Sequence, residues 1–326
     1  MSEHYWHPVL RSKTLKQKPV RVTLHGQNLV VFRTQTGLAC LNDMCPHRAA
    51  SFSKGEVIGD NVVCPYHGWQ FNQKGHCTSI PLHNGAVPAR RVPSYDICEQ
   101  DGLIYITKDA SKARPVPAAV WDHQPRVQRL LENTATTTLA DAVENVLDPI
   151  HTFFVHKGLI RGASGQPTQV RISTRIENGD LVMRFDGEEQ QNGLLSRLLE
   201  GPRSHAIGRF SMPGVVDLEY WGPERLNLVT TLYFTQEHEL QYKGFARMTG
   251  PKQYGFGYLK TLLFLPIMQK VISQDLVIMK NATENWVAAG RPAYAVSPLD
   301  FIRPYIDYVI NPVGPIPAPR EIYLSL

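Results

Sequence analysis

The chain has 326 residues, 43% hydrophobic and 19% charged, which gives enough apolar material for packed cores and about two domains at roughly 100–200 residues each. That composition excludes a disordered chain, a collagen and a coiled coil. The net charge of +5 is spread without a run of basic residues, so nucleic acid is not an expected partner; an acidic protein or an anionic substrate suits the mild excess better.

The opening Met1-Ser2-Glu3-His4-Tyr5-Trp6-His7-Pro8 has no apolar signal core, which predicts a cytoplasmic protein. Over 1–112, short strands are predicted at 20–24, 28–33, 62–64 and 103–107. Turn signals at Gly26-Gln27, Thr36-Gly37, Gly59-Asp60 and Lys74-Gly75 separate them. This is a small all-β domain. Pro115, Pro117 and Pro125 mark a linker. The part from 113 to 326 is mixed. Helical periodicity over 138–154 is broken by Pro149, and 170–176 with 181–185 forms a hairpin about Asn178-Gly179. Strands follow at 209–212, 215–221, 226–234 and 240–248. A long helix is predicted over 262–287, with a break at Pro266, and then an extended surface tail with Pro312, Pro315, Pro317 and Pro319. The apolar run 256–272 is interrupted by Lys260, Pro266 and Lys270 and falls short of the roughly 20 clean residues of a membrane span. Its first part, 256–268, reads as access for a hydrophobic substrate, as peripheral membrane contact, or as subunit or core packing.

Five cysteines (Cys40, Cys45, Cys64, Cys77 and Cys98) crowd the first third. An odd set without a signal sequence favours metal binding over a disulfide scaffold. Cys45-Pro46-His47-Arg48 and Cys64-Pro65-Tyr66-His67-Gly68-Trp69 are two short loops, each offering one thiolate and one imidazole. Such a set closes a tetrahedral zinc site, or holds two irons with both thiolates on one and both imidazoles on the other. Zinc fingers pair like with like, whereas each loop here mixes Cys with His. The stretch 5–110 resembles the Rieske [2Fe–2S] motif in both loop spacings and in the flanking Pro, Gly and Trp. The resemblance implies Cys45, His47, Cys64 and His67 as cluster ligands. It also implies close backbone approach at Gly68 and Trp69 packed beneath the cluster. Cys40, Cys77 and Cys98 are expected to be small buried hydrophobes. Imidazole ligation moves the potential to about −150 to +300 mV, from about −400 mV for an all-thiolate cluster, so the chain must receive electrons from a donor.

Downstream, Asn145, Asp148, His151 and His156 form N-x2-D-x2-H-x4-H. On one helix the first three share a face, and His156 lies about 140° off it, so the helix must end or distort for the two imidazoles to converge. Pro149 supplies a local reason. Two imidazoles lack a carboxylate to complete the facial triad of a non-haem Fe(II) oxygenase. Asp275 is the best candidate, because it sits in the apolar stripe Met268, Ile272, Asp275, Met279, where a carboxylate is costly unless paired or metal-bound. Glu237, Glu239 and Glu284 stand in more polar surroundings.

With both motifs present, the sequence over 5–290 resembles the catalytic α subunit of Rieske non-haem iron oxygenases, in spacing nearest the monooxygenase and O-demethylase branch. The resemblance implies an α+β fold, in which an N-terminal all-β Rieske domain precedes a helix-grip catalytic domain with an antiparallel sheet and a long C-terminal helix. It implies one [2Fe–2S] cluster and one mononuclear Fe(II) on His151, His156 and Asp275, with O2 as co-substrate. It also implies a homotrimer in which His67 of one subunit bonds Asp148 of the next. Asn145 would sit near the iron without ligating it, or simply bond the helix backbone. No nicotinamide or flavin fingerprint is present: Gly255-Phe256-Gly257 lacks a third glycine and reads as a loop. NAD(P)H therefore acts only through a separate reductase, with or without a ferredoxin. The expected reaction is hydroxylation or oxidative demethylation of a hydrophobic ring-containing molecule. Candidate pocket residues are Phe210, Met212, Tyr220, Leu232, Phe234, Phe245 and Met248, each of which also suits core packing. Rival readings are a desaturase or dioxygenase of the same family, a pure Rieske electron carrier, and a structural zinc protein.

Overall fold

A computed structural model describes residues 4–121, 124–159, 168–187, 203–252 and 256–325. It divides into two compact units, Met1–Ala118 with Thr235–Glu239, and Ala119–Phe234 with Leu240–Leu326.

In the first unit β1 (His7–Arg11), β2 (Val20–Leu24), β3 (Gln27–Arg33) and β4 (Leu38–Asn42) precede a small sheet of short strands, β5 (Glu56–Ile58), β6 (Asn61–Val63), β7 (Gln70–Asn72) and β8 (Cys77–Ser79). β9 (Ser94–Gln100) and β10 (Leu103–Thr107) return to the larger sheet, ordered β1-β10-β9-β4-β3-β2. Strand alternation in β3 serves two cores. Leu29 and Val31 pack with Leu24, Ile104 and Ile106, while Val30 and Phe32 pack with Leu41, Phe52 and Phe71.

The second unit is built on an antiparallel sheet of β11 (Arg126–Thr136), β12 (Gln169–Glu177), β13 (Asp180–Asp186), β14 (His205–Ser211), β15 (Val215–Trp221), β16 (Leu226–His238), β17 (Gln241–Pro251) and β18 (Arg320–Ser325). Its order is β11-β17-β16-β15-β14-β13-β12-β18. Three helices, α1 (Leu139–Leu147), α2 (Phe256–Ala288) and α3 (Arg303–Ile310), accompany it. α1 and α3 bury Ala142, Val143, Leu147, Ile302 and Ile306 in one core with sheet residues such as Phe210 and Val216. α2 packs along β11. This is the expected α+β class.

Several local expectations are corrected. The helix predicted over 138–154 starts at its Thr138 cap, whose side chain accepts from the Asp141 N–H at 3.1 Å, but ends at Leu147. Asp148 turns extended, and a short 3-10 turn, His151–Phe153, follows. Asn145, Asp148 and His151 therefore do not share one helix face. The break expected at Pro266 is absent: α2 runs through it, and packing against the sheet outweighs the ~3 kcal/mol that an interior proline costs. Phe256 and Gly257 open α2 rather than a loop, and Gly255 lies outside the described residues. The tail is extended and largely exposed as expected, and its last residues go further and pair with β12 as the edge strand β18. β11 was not predicted, because Arg126-Val127-Gln128-Arg129-Leu130-Leu131 lacks clean alternation. Of the three unassigned cysteines only Cys40 is fully buried; Cys77 and Cys98 are half-buried.

Candidate metal centres and substrate cavity

The two Cys/His loops lie at one end of the small sheet. The first follows β4, and the second joins β6 to β7. Each closes on itself: the Ala49 N–H donates to Cys45 O at 2.9 Å, and the Gly68 N–H to Cys64 O at 3.0 Å. Gly68 has φ +69°, and a Cβ there would sit 2.8 Å from Pro81 Cγ, so the turn requires glycine. Cys45 and Cys64 are buried, while His67 is exposed. The imidazoles of His47 and His67 are neighbours, with ring centroids 4.5 Å apart. Trp69 stacks on His47 at 4.7 Å and an interplanar angle of 10°, so it braces one of the two candidate imidazole ligands. Burial pushes the Cys45 thiol up to about 11, with the Cys64 thiol adding to the shift, while the backbone N–H groups of His47 and Arg48 favour its thiolate. Hydrogen bonds of that kind to cluster sulfurs are one lever on a cluster's potential.

The second centre is assembled from distant segments. Among the described residues, His151, His156 and Asp275 are the one set of His, Cys, Asp and Glu whose ligand atoms lie close enough for one ion, all within 4.8 Å of one another. Asp275 Oδ1 is 2.9 Å from His156 Nε2 and 3.7 Å from His151 Nε2. It is buried without an aligned hydrogen bond, as is His151 Nδ1. Such close but misaligned donor atoms suit a shared central ion. Two imidazoles and a carboxylate are the donor set of a facial triad, so these residues fit an iron. The other four ligand candidates pair like with like in space, the Cys45 thiol against the Cys64 thiol and the His47 ring 4.5 Å from the His67 ring, which suits two irons held by two thiolates and two imidazoles.

The residues around the triad orient it. Asp148 accepts from the Ile150 N–H at 2.7 Å and the His151 N–H at 3.1 Å, and its Oδ2 lies 3.6 Å from His151 Nδ1. It both caps the turn and faces the imidazole. Gln274 was not singled out from the sequence. Its Oε1 is 3.0 Å from His156 Nδ1, an arrangement that puts the proton on Nδ1 and leaves Nε2 toward Asp275. Burial opposes charge on His156, but Asp275 and Gln274 outweigh it and hold its pKa above the usual value.

The triad opens into a cavity of about 180 Å³ between the sheet, the α1 end and α2. Asn145 and Asp148 line it, as do Tyr220, Leu232 and Met248 of the expected pocket set. Phe234 and Phe245 line a smaller adjoining chamber instead, while Phe210 and Met212 belong to the core. Sequence reading missed Arg203, a buried wall residue whose guanidinium carbon sits 4.5 Å over the Tyr220 ring. Of the apolar run 256–268, Leu259, Leu262 and Leu263 are exposed and Met268 lines the cavity. The side chains of Phe256, Tyr258, Lys260, Thr261 and Phe264 lie outside the described set. No helix among the described residues is long and apolar enough to cross a membrane.

Comparison with known proteins agrees with this geometry. Residues 5–96 match the Rieske [2Fe-2S] domain family. The chain is 29% identical over 231 residues to methylxanthine N1-demethylase NdmA of Pseudomonas putida, covering 66% of this chain and 63% of that protein. It is also 29% identical over 234 residues to the oxygenase component of dicamba O-demethylase of Stenotrophomonas maltophilia, covering 70% and 65%. The matches thus span less than two thirds of these relatives' lengths. The solved structure of NdmA with caffeine superposes with a TM-score of 0.77 at 24% identity, over 94% of this chain and 90% of that one. Dicamba monooxygenase bound to 3,6-dichlorosalicylic acid gives 0.78 at 21% identity, over 96% and 97%. The chain carries a Rieske domain and is homologous to Rieske oxygenase α subunits. That likeness implies a Rieske cluster and a mononuclear iron as its cofactors.

Proposed function

We propose that this protein is the oxygenase component of a multicomponent Rieske system, hydroxylating or oxidatively demethylating a hydrophobic ring-containing substrate. The observation that carries this reading is the His151, His156 and Asp275 triad opening onto the cavity. A cavity of about 180 Å³ exceeds the ~150 Å³ of an engineered protein cavity that accepts benzene, so a single substituted ring fits. When bound, iron on the triad supplies open positions and one-electron chemistry for activating O2. The chain's own residues do the rest. His151, His156 and Asp275 hold the metal, and Asp148 and Gln274 fix the two imidazoles. Asn145 lines the cavity beside them, and Leu218, Leu232 and Met248 shield the bound ring from water.

Residues 1–112 are read as the electron-receiving domain, with Cys45, His47, Cys64 and His67 holding the cluster, and 113–326 as the catalytic domain. A reductase, with or without a ferredoxin, delivers electrons, and an acidic donor suits the net charge of +5. In the proposed homotrimer, His67 of one subunit meets Asp148 of the next. The proposed location is the cytoplasm.

Single-turnover reaction of the reduced protein with N-methyl and methoxy arenes under labelled O2 tests the activity. Hydroxylation of the methyl carbon gives an unstable hemiaminal or hemiacetal that releases formaldehyde, and aromatic C–H attack gives a labelled phenol. Either product supports the reading. Products two hydrogens poorer than the substrate and carrying no label support the desaturase alternative, and cluster oxidation that leaves every substrate unchanged contradicts oxygenation.

A further inference from the structure

Arg203 stands just ahead of β14, in the wall of the cavity that the triad opens into, with only 6% of its surface exposed. Among the described residues of that wall it is the one lysine or arginine. The carboxylates and imidazoles of the same wall, Asp148, His151, His156 and Asp275, belong to the metal site. The ring of Tyr220, on the neighbouring strand β15, lies 4.5 Å from the Arg203 guanidinium carbon. A cation over a ring face is held by the ring's quadrupole, so this contact positions the group without calling on its N–H donors. Those donors form a planar fork that matches the two oxygens of a carboxylate.

Charge and size select the ligand. Much of the remaining wall is hydrocarbon, from residues such as Phe185, Ile207, Leu218 and Leu228. Coulomb attraction is stronger in such surroundings than in water, so a buried guanidinium draws an anion that enters. An entering carboxylate gives up its water and needs charged donors in return. The protein's own carboxylates in this wall are engaged elsewhere, Asp275 beside His156 and Asp148 by the Ile150 and His151 N–H groups. One guanidinium balances the single charge of a carboxylate and falls short of the roughly −2 of a phosphate ester. A cavity of about 180 Å³ admits one ring. We propose that Arg203 anchors a carboxylate carried by the substrate, so that the cavity takes monocyclic aromatic acids. This rests on the oxygenase reading above and names the charge of its substrate and the residue that reads it.

Benzoate and the three methoxybenzoates, each paired with its carboxamide, test it by titration calorimetry on the oxidised holoenzyme. The best acid should bind at least about tenfold tighter than its amide, by the worth of a hydrogen bond to a charged group. Equal affinity for acid and amide throughout the set, or no binding of any acid, overturns the proposal. Arg203→Met should bring that ratio close to one. Arg203→Lys, which keeps the charge and loses the fork, should keep part of it. An unchanged ratio in Arg203→Met places the carboxylate elsewhere and overturns the role of Arg203. A crystal structure of the wild type with the best-bound acid decides the matter whether or not either variant folds. Carboxylate oxygens within hydrogen-bond distance of the Arg203 guanidinium are expected, and a carboxylate turned to the metal overturns the proposal. The titrations contain no reductant, so an acid that binds at Arg203 yet survives single turnover unchanged counts against the oxygenase reading and leaves the anchor standing.

Discussion

Asp148 and Gln274 act on the triad without belonging to it. Asp148 is bonded to two backbone N–H groups of the turn it caps and lies 3.6 Å from His151 Nδ1. An Asn at this position keeps one acceptor oxygen for the cap but loses the charge facing the imidazole. Asp148→Asn should therefore retain both metals and lose turnover of the reduced protein, checked by metal content and single-turnover product. Normal turnover would remove the bridging role assigned to it. Gln274 fixes the His156 tautomer through one hydrogen bond. Gln274→Leu should weaken iron binding about 10- to 100-fold, read by Fe(II) titration, with the cluster's visible spectrum unchanged. Asp275 stands out in the sequence as a candidate, since a carboxylate in an apolar stripe needs a reason. Gln274 does not, because a glutamine on a helix carries no periodicity signal.

At the scale of the element, α1 delivers Asn145 and Asp148, so its seating sets the geometry of the site. A Cβ at Gly208 would fall 2.7 Å from Leu147 Cδ2, so glycine lets the last turn of α1 sit directly on β14. On the opposite side Arg303 of α3 pairs with Asp141 and with Glu144 Oε2, the latter at 2.6 Å. Burial raises the Glu144 pKa, Arg303 opposes that rise, and Asp141 and Asp300 add to it. A carboxyl with a raised folded pKa favours the folded state while protonated and costs stability as pH climbs through that pKa. Arg303→Met removes the opposing cation. It should destabilise the fold by about 2 kcal/mol near neutral pH, by the usual cost of losing charged hydrogen bonds. The loss should shrink as pH falls below neutral and Glu144 takes up its proton. Thermal unfolding at and below neutral pH checks it, and a pH-independent loss would place the effect in packing alone. Pro149 predicts the irregularity after α1, and the helix does stop ahead of it: Leu147 is its last residue, and Asp148 takes the extended conformation that a following proline favours.

For the whole molecule, the Rieske loops were legible because their four candidate ligands are local in sequence, two to a loop. The triad was only partly legible, since it depends on α2 laying Asp275 against a loop more than a hundred residues earlier. Arg203 in the cavity wall and the chamber beside Asp275 arise from sheet and helix packing, and no short segment encodes them. If electrons cross between subunits, the two centres can be supplied by different chains. Mixed assemblies of Cys45→Ser and His151→Ala chains should then recover turnover that neither variant shows alone. Failure of co-purified mixtures to recover it would contradict the crossing.

The central claim is that one chain carries a two-iron cluster and a separate iron. Iron and acid-labile sulfide per chain, measured on protein purified without air, test it most directly. About three irons and two sulfides per chain are expected, falling to about two irons with sulfide unchanged in His151→Ala. Zinc without sulfide in the anaerobic protein would contradict the account.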